Sequence, residues 1–254
     1  MNEVGQIRQD CHICGTPLEY LEQGIPVRCT VCGREERGNV LCPEGHYVCE
    51  ACHSPDFLTS LRTFLRESSE TSPFLLAEEL MDHHALPMLG CEHAHIAAGA
   101  LMTALRNSEQ ARVDENQVDE VLARTARQAV SAYCGLSGVC GVVPALGACY
   151  SVLVGARCGL GPQTMATMEL TGKLGLVTAE HAEPGCCKAY VRACLATTTE
   201  YIRETLDIEL PGPAHARCLH HTQHPHGCRG FACPWYPDVS TGQDAGLQEA
   251  GDGG

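Results

Sequence analysis

Apolar residues recur at helical spacing along most of the chain between residues 57 and 210. Their period, as in Phe57, Leu61 and Leu65, predicts an amphipathic helix. The same pattern predicts further helices over 73–81, 92–107, 114–130, 141–157, 161–175 and 187–206. Segments that could form strands occur only within the first 50 residues. The pattern therefore predicts a mainly α fold of about seven helices.

Two of these helices have clear start signals, and one apolar stretch needs a separate explanation. Ser72 is an N-cap followed by Pro73 at the first helical position, and Asp114 is placed to cap the helix after it. The most apolar stretch, 141–156, is shorter than the roughly 18–20 residues of a membrane span and contains Pro144. We therefore expect a buried helix there and no membrane contact.

Composition divides the 254 residues into three zones. Residues 1–55 hold seven cysteines and form a predicted zinc-binding module, while 56–238 form a helical, cysteine-rich domain. Residues 239–254 are rich in glycine and polar residues, which predicts a disordered tail. The predicted fold class is a helical domain with a small zinc-ribbon or RING-like module at the amino terminus.

Charge and cysteine content narrow the classes of function. The net charge of −14 does not favour nucleic-acid binding, which relies on Lys and Arg. The first six residues have neither the basic nor the apolar part of a secretory signal, so we expect a cytoplasmic protein. In that reducing compartment, 18 cysteines indicate metal ligation or redox chemistry rather than structural disulfides.

Closely spaced cysteines dominate the first zone. Two Cys-x2-Cys pairs, each followed by glycine, are joined by a second set that includes one histidine. The predicted ligands are Cys11, Cys14, Cys29, Cys32, Cys42, His46, Cys49 and Cys52. Eight ligands at this spacing predict two closed zinc sites, which act in structure or in docking a protein partner rather than in catalysis.

Two wirings of these ligands remain open from the sequence. The order from Cys29 to Cys52 resembles the first six ligands of a RING finger. In the cross-brace wiring the two sites are Cys29, Cys32, Cys49 and Cys52, and Cys11, Cys14, Cys42 and His46. In the sequential wiring they are Cys11, Cys14, Cys29 and Cys32, and Cys42, His46, Cys49 and Cys52. The RING pattern is incomplete, so ubiquitin ligation is not favoured.

Eleven further cysteines lie in the second zone. Seven of them are predicted to lie in loops rich in glycine and proline, and one of these directly precedes a proline. Clustered thiols of this kind are typical of iron–sulfur ligation or redox chemistry. The predicted ligands of a [4Fe–4S] cluster are Cys186, Cys187, Cys218, Cys228 and Cys233. A third zinc on Cys218, Cys228, Cys233 and a nearby histidine is the alternative. Cys149, Cys158 and Cys194 fall in apolar patterns and are predicted to be packing residues.

Several residues are candidates for catalysis. Glu92 and His93 follow a Gly-Cys turn at a helix start, where either could act as a base. Lys188 directly follows two cysteines and could pair with an anion or tune a thiol. Cys134 and Cys140 lie in a glycine-rich turn before an apolar helix, whose amino terminus would lower the pKa of a thiol.

Two resemblances arise from these motifs. Cys134-Gly-x2-Gly-x-Cys140-Gly, Pro184-x-Cys186-Cys187-Lys188 and Cys218…Cys228-x4-Cys233-Pro234, behind the zinc module, resemble an uncharacterised family of anaerobic bacteria and archaea, over about residues 11–236. Its members carry His-Gly-Pro-Glu-His where this chain has 89–93, so Glu92 and His93 match. Residues 134–200 are similar to the catalytic subunit of iron–sulfur L-serine dehydratases. That likeness implies a cluster with an open iron that binds a substrate hydroxyl and carboxylate.

Three hypotheses of function follow. The leading one is an oxygen-sensitive iron–sulfur lyase, of dehydratase or desulfidase type, acting on a small hydroxy- or thiol-bearing acid. The second is a non-enzymatic carrier of metal, cluster or sulfur that docks on a protein partner through the zinc module. The third is a thiol-based redox or sulfur-transfer enzyme.

Overall fold

The computed structural model of the chain describes residues 10–11, 13–53, 55–83, 86–213 and 216–237. The disordered tail predicted over 239–254 lies outside them. Within this part of the chain are one two-stranded sheet and nine α-helices. The strands are β1 (Glu19–Arg28) and β2 (Glu35–Leu41). The helices are α1 (Glu50–His53), α2 (Pro55–Glu67), α3 (Pro73–Met81), α4 (Glu92–Ser108), α5 (Glu115–Gln128), α6 (Tyr133–Ser137), α7 (Val142–Leu153), α8 (Gly161–Glu180) and α9 (Cys187–Leu206).

The mainly α fold and the predicted start signals are confirmed. The Ser72 side chain accepts a hydrogen bond from the Leu75 amide, with Pro73 in the first turn. Asp114 forms a capping box with Gln117, in which each side chain accepts from the backbone N–H of the other residue. These bonds satisfy amide groups that a helix start leaves without an intrahelical partner.

The helix ends differ from the predicted ones for local reasons. Helix α7 ends at Leu153 rather than 157, because Gly155 takes a φ of +65°, outside the helical region. Helix α8 continues to Glu180 rather than 175, since Gly175 adopts helical backbone and the next proline is Pro184, beyond the end of the helix. The short helices α1 and α6 were not predicted, because four or five residues are too few to show a helical period.

Helix α4 is the centre of the helical domain. It packs against α2, α3, α5, α7 and α9, and every residue from Glu92 to Leu105 is buried. A helix that is apolar on all sides belongs inside a core. Small residues permit this packing: a Cβ on Gly99 would lie 2.4 Å from Cδ1 of Leu65. Helix α8 packs on α7 and α9 at the outside.

The segment after α9 runs back to the start of that helix. The Cys218 amide donates to the Trp235 carbonyl over 2.7 Å, which closes the segment on itself. His224 Nε2 lies 3.2 Å from the Gly185 carbonyl, and His220 Nε2 lies 2.8 Å from Asp82 Oδ1. These contacts place the carboxyl-terminal cysteines beside α9. Among the residues described, no helix combines the length and the hydropathy that crossing a membrane requires.

Candidate metal centres

The first group of ligands lies at the open end of the β-hairpin, where residues before β1 meet residues after β2. It consists of Cys11, Cys14, Cys42 and His46. Cys14 Sγ lies 3.5 Å from Cys42 Sγ, and His46 Nδ1 lies 3.7 Å from Cys42 Sγ and 3.9 Å from Cys11 Sγ. Thiolates bound 2.3 Å from a tetrahedral zinc lie about 3.8 Å apart. The four side chains therefore have the spacing that a single zinc ion needs.

The second group lies at the turn end of the hairpin, the end at which β1 and β2 are joined. It consists of Cys29, Cys32, Cys49 and Cys52, and Cys32 Sγ lies 3.6 Å from Cys49 Sγ. The Cys49 amide donates to Cys29 Sγ, and this bond, with a second from the Cys32 amide, lowers the pKa of Cys29 to about 6. Hydrogen bonding with Thr16 likewise lowers the pKa of Cys14 to about 6. Both groups thus contain a thiol that ionises readily, as metal ligation requires.

The hairpin itself decides between the two wirings. Glu19 of β1 pairs with Leu41 of β2, and Arg28 pairs with Glu35 at the other end. Because the strands are antiparallel, the residues before β1 meet those after β2, while the turn between the strands is carried away from them. The ligand groups are therefore those of the cross-brace, and the sequential wiring is not formed.

Helix α1 joins this module to the helical domain. His53 Nδ1 lies 2.9 Å from Glu92 Oε1 at the start of α4, and Glu92 is only 4% exposed. The Glu50 carboxylate accepts a hydrogen bond of 3.1 Å from the Ser131 amide. The bond to Glu92 raises the pKa of His53. Since Cys52 precedes His53 directly, the second metal group is one residue away from this contact.

A cavity opens at the amino-terminal end of α9, between that helix and the carboxyl-terminal segment. Its walls include four of the five cysteines predicted to bind a cluster: Cys186, Cys218, Cys228 and Cys233. Burial raises the pKa of Cys186, and the thiols of Cys218 and Cys233 add to the effect. Cys228 is exposed, and its Sγ accepts from the Gly230 amide over 3.4 Å.

The alternative of a third zinc is not assembled around this cavity. Within the described ranges, the two groups of the amino-terminal module are the only ones in which three or more ligand atoms lie within 4.8 Å of one another. His224 has both ring nitrogens engaged, since Nε2 faces the Gly185 carbonyl and Nδ1 accepts from the His226 amide. His220 is bonded to Asp82. The cavity thiols are thus more widely spaced than ligands of one ion.

Two arginines stand in the cavity wall. Arg192, 5% exposed, binds the Glu78 carboxylate through two hydrogen bonds and interacts electrostatically with the Cys218 thiol. Arg229 Nη1 lies 2.9 Å from His181 Nδ1. Neither arginine was predicted from the sequence as a site residue. The sequence does contain one indication of Arg192 as a site residue: it lies one helical turn after Lys188, on the same face of α9.

None of the predicted catalytic residues, Glu92, His93 and Lys188, lines the cavity. Lys188 is buried and donates from Nζ to the Met81 carbonyl over 2.7 Å. Burial lowers the pKa of Lys188 to about 8, while the thiols of Cys186 and Cys218 act in the opposite direction. Lys188 therefore interacts with two of the cavity thiols.

His93 is the buried neighbour of Lys188. Its Nδ1 lies 3.1 Å from the Gly90 carbonyl, which places the ring proton on Nδ1. Nε2 has no hydrogen-bond partner among the residues described. Burial, followed by the Lys188 ammonium, lowers the pKa of His93 to about 3. The ring is thus neutral, with its Nε2 lone pair available.

The remaining predicted thiols form a separate group. Cys187 is not among the residues that line the cavity. Burial raises the pKa of Cys187, and the thiols of Cys140, Cys186 and Cys134 contribute to the same shift. Cys134 lies on α6 and is exposed, whereas Cys140 is buried just before α7. The predicted catalytic pair Cys134 and Cys140 is therefore within electrostatic range of Cys187.

The three predicted packing cysteines have different outcomes. Cys149 and Cys194 are fully buried in the core, as expected. Cys158 is exposed, so its assignment to the core was wrong. The physical reason is the early end of α7: Cys158 falls in the turn between α7 and α8, next to Gly159 with a φ of +90°.

Comparison with known proteins gives one match. The model of a protein family described as a family of unknown function (DUF5714) matches residues 61–236. No curated protein and no solved structure matches the chain. The matched range includes the cavity and both groups of thiols beside α9, whereas the metal groups of the hairpin module precede it. The expected membership of an uncharacterised family is thus confirmed; the range of anaerobes and the likeness to L-serine dehydratases stay predictions.

Proposed function

The chain belongs to this family of unknown function, DUF5714, and we propose that its helical domain is an iron–sulfur lyase acting on a small hydroxy- or thiol-bearing acid. One observation carries the proposal. Four thiols from two distant segments line a single cavity that also contains two guanidinium groups. Thiolates are the ligands that iron–sulfur clusters use, and guanidinium groups recognise carboxylates.

The spacing of the thiols supports a cluster rather than a single ion. A cubane binds each thiolate on a different iron, so its ligands stand farther apart than those around one zinc. In the described structure no three ligand atoms at the cavity lie within 4.8 Å. Backbone amides of Lys188 and Ala189 donate to the Cys186 sulfur at the start of α9. Such hydrogen bonds stabilise the charge of a cluster thiolate.

We assign the three inner thiols, Cys186, Cys218 and Cys233, as the ligands. Cys186 interacts with the other two, and Cys218 is held by Arg192 and by its bond to the Trp235 carbonyl. Cys228 is exposed on the cavity wall. Three ligands leave one iron open, and such a cluster supplies a Lewis acid for the hydroxyl or thiol and the carboxylate of a substrate.

Residues of this chain would bind and deprotonate the substrate. Arg229 follows Cys228 in sequence and lines the cavity. Among the contacts described, it pairs with His181 and with no carboxylate, so we assign it to the substrate carboxylate. His93 keeps its predicted role as base, because its buried Nε2 has a lone pair and no hydrogen-bond partner in the part of the chain described. Since His93 does not line the cavity, this role requires the proton to pass through the cavity wall. Glu92 is bound to His53 and serves the junction with the zinc module instead. Lys188 would balance the charge of the cluster thiolates.

The test is anaerobic purification of the full chain, followed by iron, zinc and sulfide analysis and assays of pyruvate release from serine and from cysteine. We expect iron, sulfide and two zincs, with activity. Cys218→Ser should lose cluster and activity together, whereas Cys158→Ser, at an exposed thiol outside the cavity, should lose neither. His93→Gln should keep the cluster and lose about two to four orders of magnitude in kcat. A colourless protein that holds three zincs would contradict the proposal.

A carrier function is the second candidate, because the cavity has a fourth thiol. If Cys228 also binds iron, the cluster is closed and has no site for a substrate. Cys228→Ser separates the two functions. The lyase proposal expects this variant to keep its cluster and its activity, while loss of the cluster in Cys228→Ser would favour the carrier.

A further inference from the structure

Helix α8 is apolar on both of its faces. Its inner face holds Leu170 and Leu174, which are fully buried in the core. Its outer face carries Met165, Met168 and Leu176, which are 68%, 67% and 71% exposed. A surface helix of a globular protein ordinarily has charged and polar residues on its outer face. Packing within one chain therefore does not account for the outer face of α8.

The three exposed side chains form one continuous stripe, the α8 stripe. Their spacing places Met165, Met168 and Leu176 on the same side of the helix. Gly172, also exposed, lies between Met168 and Leu176 on that side. The ends of the stripe are about 17 Å apart along the helix axis. Single apolar residues are normal at a surface, whereas a continuous apolar patch marks a place where another molecule binds.

The α8 stripe matches itself when the helix is reversed. In two antiparallel copies related by a twofold axis, positions equally far from a common midpoint lie opposite each other. With the midpoint near residues 170–171, Met165 lies opposite Leu176 of the second copy. Met168 then lies opposite Gly172, where a Cβ would have no atom within 4 Å, and the flexible methionine has room to pack.

One edge of the stripe carries complementary charges. Glu169 and Lys173 form an ion pair of 3.2 Å, and both side chains are about half exposed. Lys173 Nζ also lies 4.9 Å from the centre of the Tyr201 ring, which keeps it at this edge. In an antiparallel helix pair the same edges face each other, so Glu169 of each copy meets Lys173 of the other. The edge charges therefore favour a second copy of this chain in antiparallel orientation.

We propose that the outer face of α8 binds the same face of a second copy, which forms an antiparallel, twofold-symmetric dimer. With a net charge of −14, two copies repel each other over most of their surfaces. The α8 stripe is a contact that apolar burial drives and at which the edge charges cancel. The cavity lies near the carboxyl-terminal end of α8, where His181 contacts Arg229. The two cavities are then at opposite ends of the helix pair, and the dimer does not depend on the proposed function.

The first experiment measures the mass of the full chain by sedimentation equilibrium, at concentrations from about 1 to 100 µM. We expect twice the chain mass of 27.2 kDa. The double variant Met165→Glu/Leu176→Glu should weaken dimerisation at least about a hundredfold, because the twofold axis places each new carboxylate in the interface twice. Leu75→Glu is the control, since Leu75 is 46% exposed on α3; it should dimerise like the wild type.

The second experiment reverses the edge charges. Glu169→Lys and Lys173→Glu should each weaken self-association about fivefold to tenfold, because like charges then lie opposite each other. A mixture of the two variants should instead form heterodimers, since one copy has two ammonium groups at the edge and the other has two carboxylates. Glu120→Lys is the matched control, because it breaks an exposed pair with Arg124 on α5 by the same change of charge.

Helical content checks that every variant folds, and all the substituted positions are exposed. A wild-type chain that stays monomeric at about 100 µM would overturn the proposal. A dimer that Met165→Glu/Leu176→Glu leaves intact would overturn it as well, because the contact would then lie on another face. A monomeric chain whose binding to a different protein is lost in that double variant would assign the α8 stripe to that protein instead.

Discussion

Arg192 binds Glu78 through two parallel hydrogen bonds, with Nε to Oε1 and Nη2 to Oε2 both 2.6 Å long. The pair joins α9 to α3 at the wall of the cavity. Arg192 and Cys218 both line the cavity and interact electrostatically, so one side chain connects the helical core to a proposed cluster ligand. The carboxyl-terminal segment is thereby coupled to the packing of α3 and α9.

The first prediction concerns this arginine. Arg192→Lys keeps the charge but loses the planar fork that grips a carboxylate at two points. We expect a loss of about 1–3 kcal/mol in the free energy of unfolding, since Arg192 is buried, and weaker retention of iron. Urea unfolding and iron analysis measure the two effects. Arg203→Lys is the control, because Arg203 pairs with Glu200 on the exposed face of α9; equal effects in both variants would contradict the prediction.

The second prediction tests the cross-brace by counting zinc. Under this wiring Cys14 and Cys42 bind the same ion, while Cys14 and Cys29 bind different ions. The double variant Cys14→Ser/Cys42→Ser should therefore lose one zinc and keep one, whereas Cys14→Ser/Cys29→Ser should lose both. The sequential wiring would give the opposite result. Zinc per chain, measured after dialysis against a weak chelator, distinguishes them.

The ligands of this module could be predicted from sequence, but their wiring could not. Ligand type and spacing identify Cys11, Cys14, Cys29 and Cys32 as two pairs, since both wirings use the same pairs. Which pair meets which depends on the antiparallel register of β1 and β2, a long-range property. The spacing of cysteines along the chain does not contain that information.

The helical domain shows the same limit at its cysteines. The periodic pattern predicted the long helices, because burying an apolar face requires it. It could not show that Cys186 lines the cavity while Cys187 does not, since that depends on how α9 is rotated against the carboxyl-terminal segment. Cys158 was misplaced because the end of α7 was predicted four residues too late.

A third prediction concerns the close packing of α4. In Gly99→Ala the new Cβ would lie 2.4 Å from Cδ1 of the buried Leu65. Overpacking of this kind lowers the free energy of unfolding by about 1–3 kcal/mol. The higher helix propensity of alanine offsets up to about 1 kcal/mol of that loss. We expect a net loss of about 1–2 kcal/mol in the free energy of unfolding.

The matched variant for this test is on α8. A Cβ on Gly172 would have no atom within 4 Å, so Gly172→Ala should raise the free energy of unfolding by about 0.5–1 kcal/mol. Chemical unfolding of both variants measures the difference. Gly99→Ala as stable as Gly172→Ala would show that α4 is not packed as tightly as the structure indicates.

The last prediction is a dependence of stability on pH from His95, which is 8% exposed on α4. Burial lowers its pKa from 6.5 to about 4. Between these pH values the unfolded chain binds a proton on His95 and the folded chain does not, so the free energy of unfolding falls as pH falls. One pKa unit corresponds to about 1.4 kcal/mol.

His95→Gln lacks this contribution, so the wild type should lose about 2 kcal/mol more than the variant between pH 7 and pH 5. His226→Gln, at an exposed position, should instead follow the wild-type curve, and parallel curves for wild type and His95→Gln would show that His95 is not kept neutral by burial.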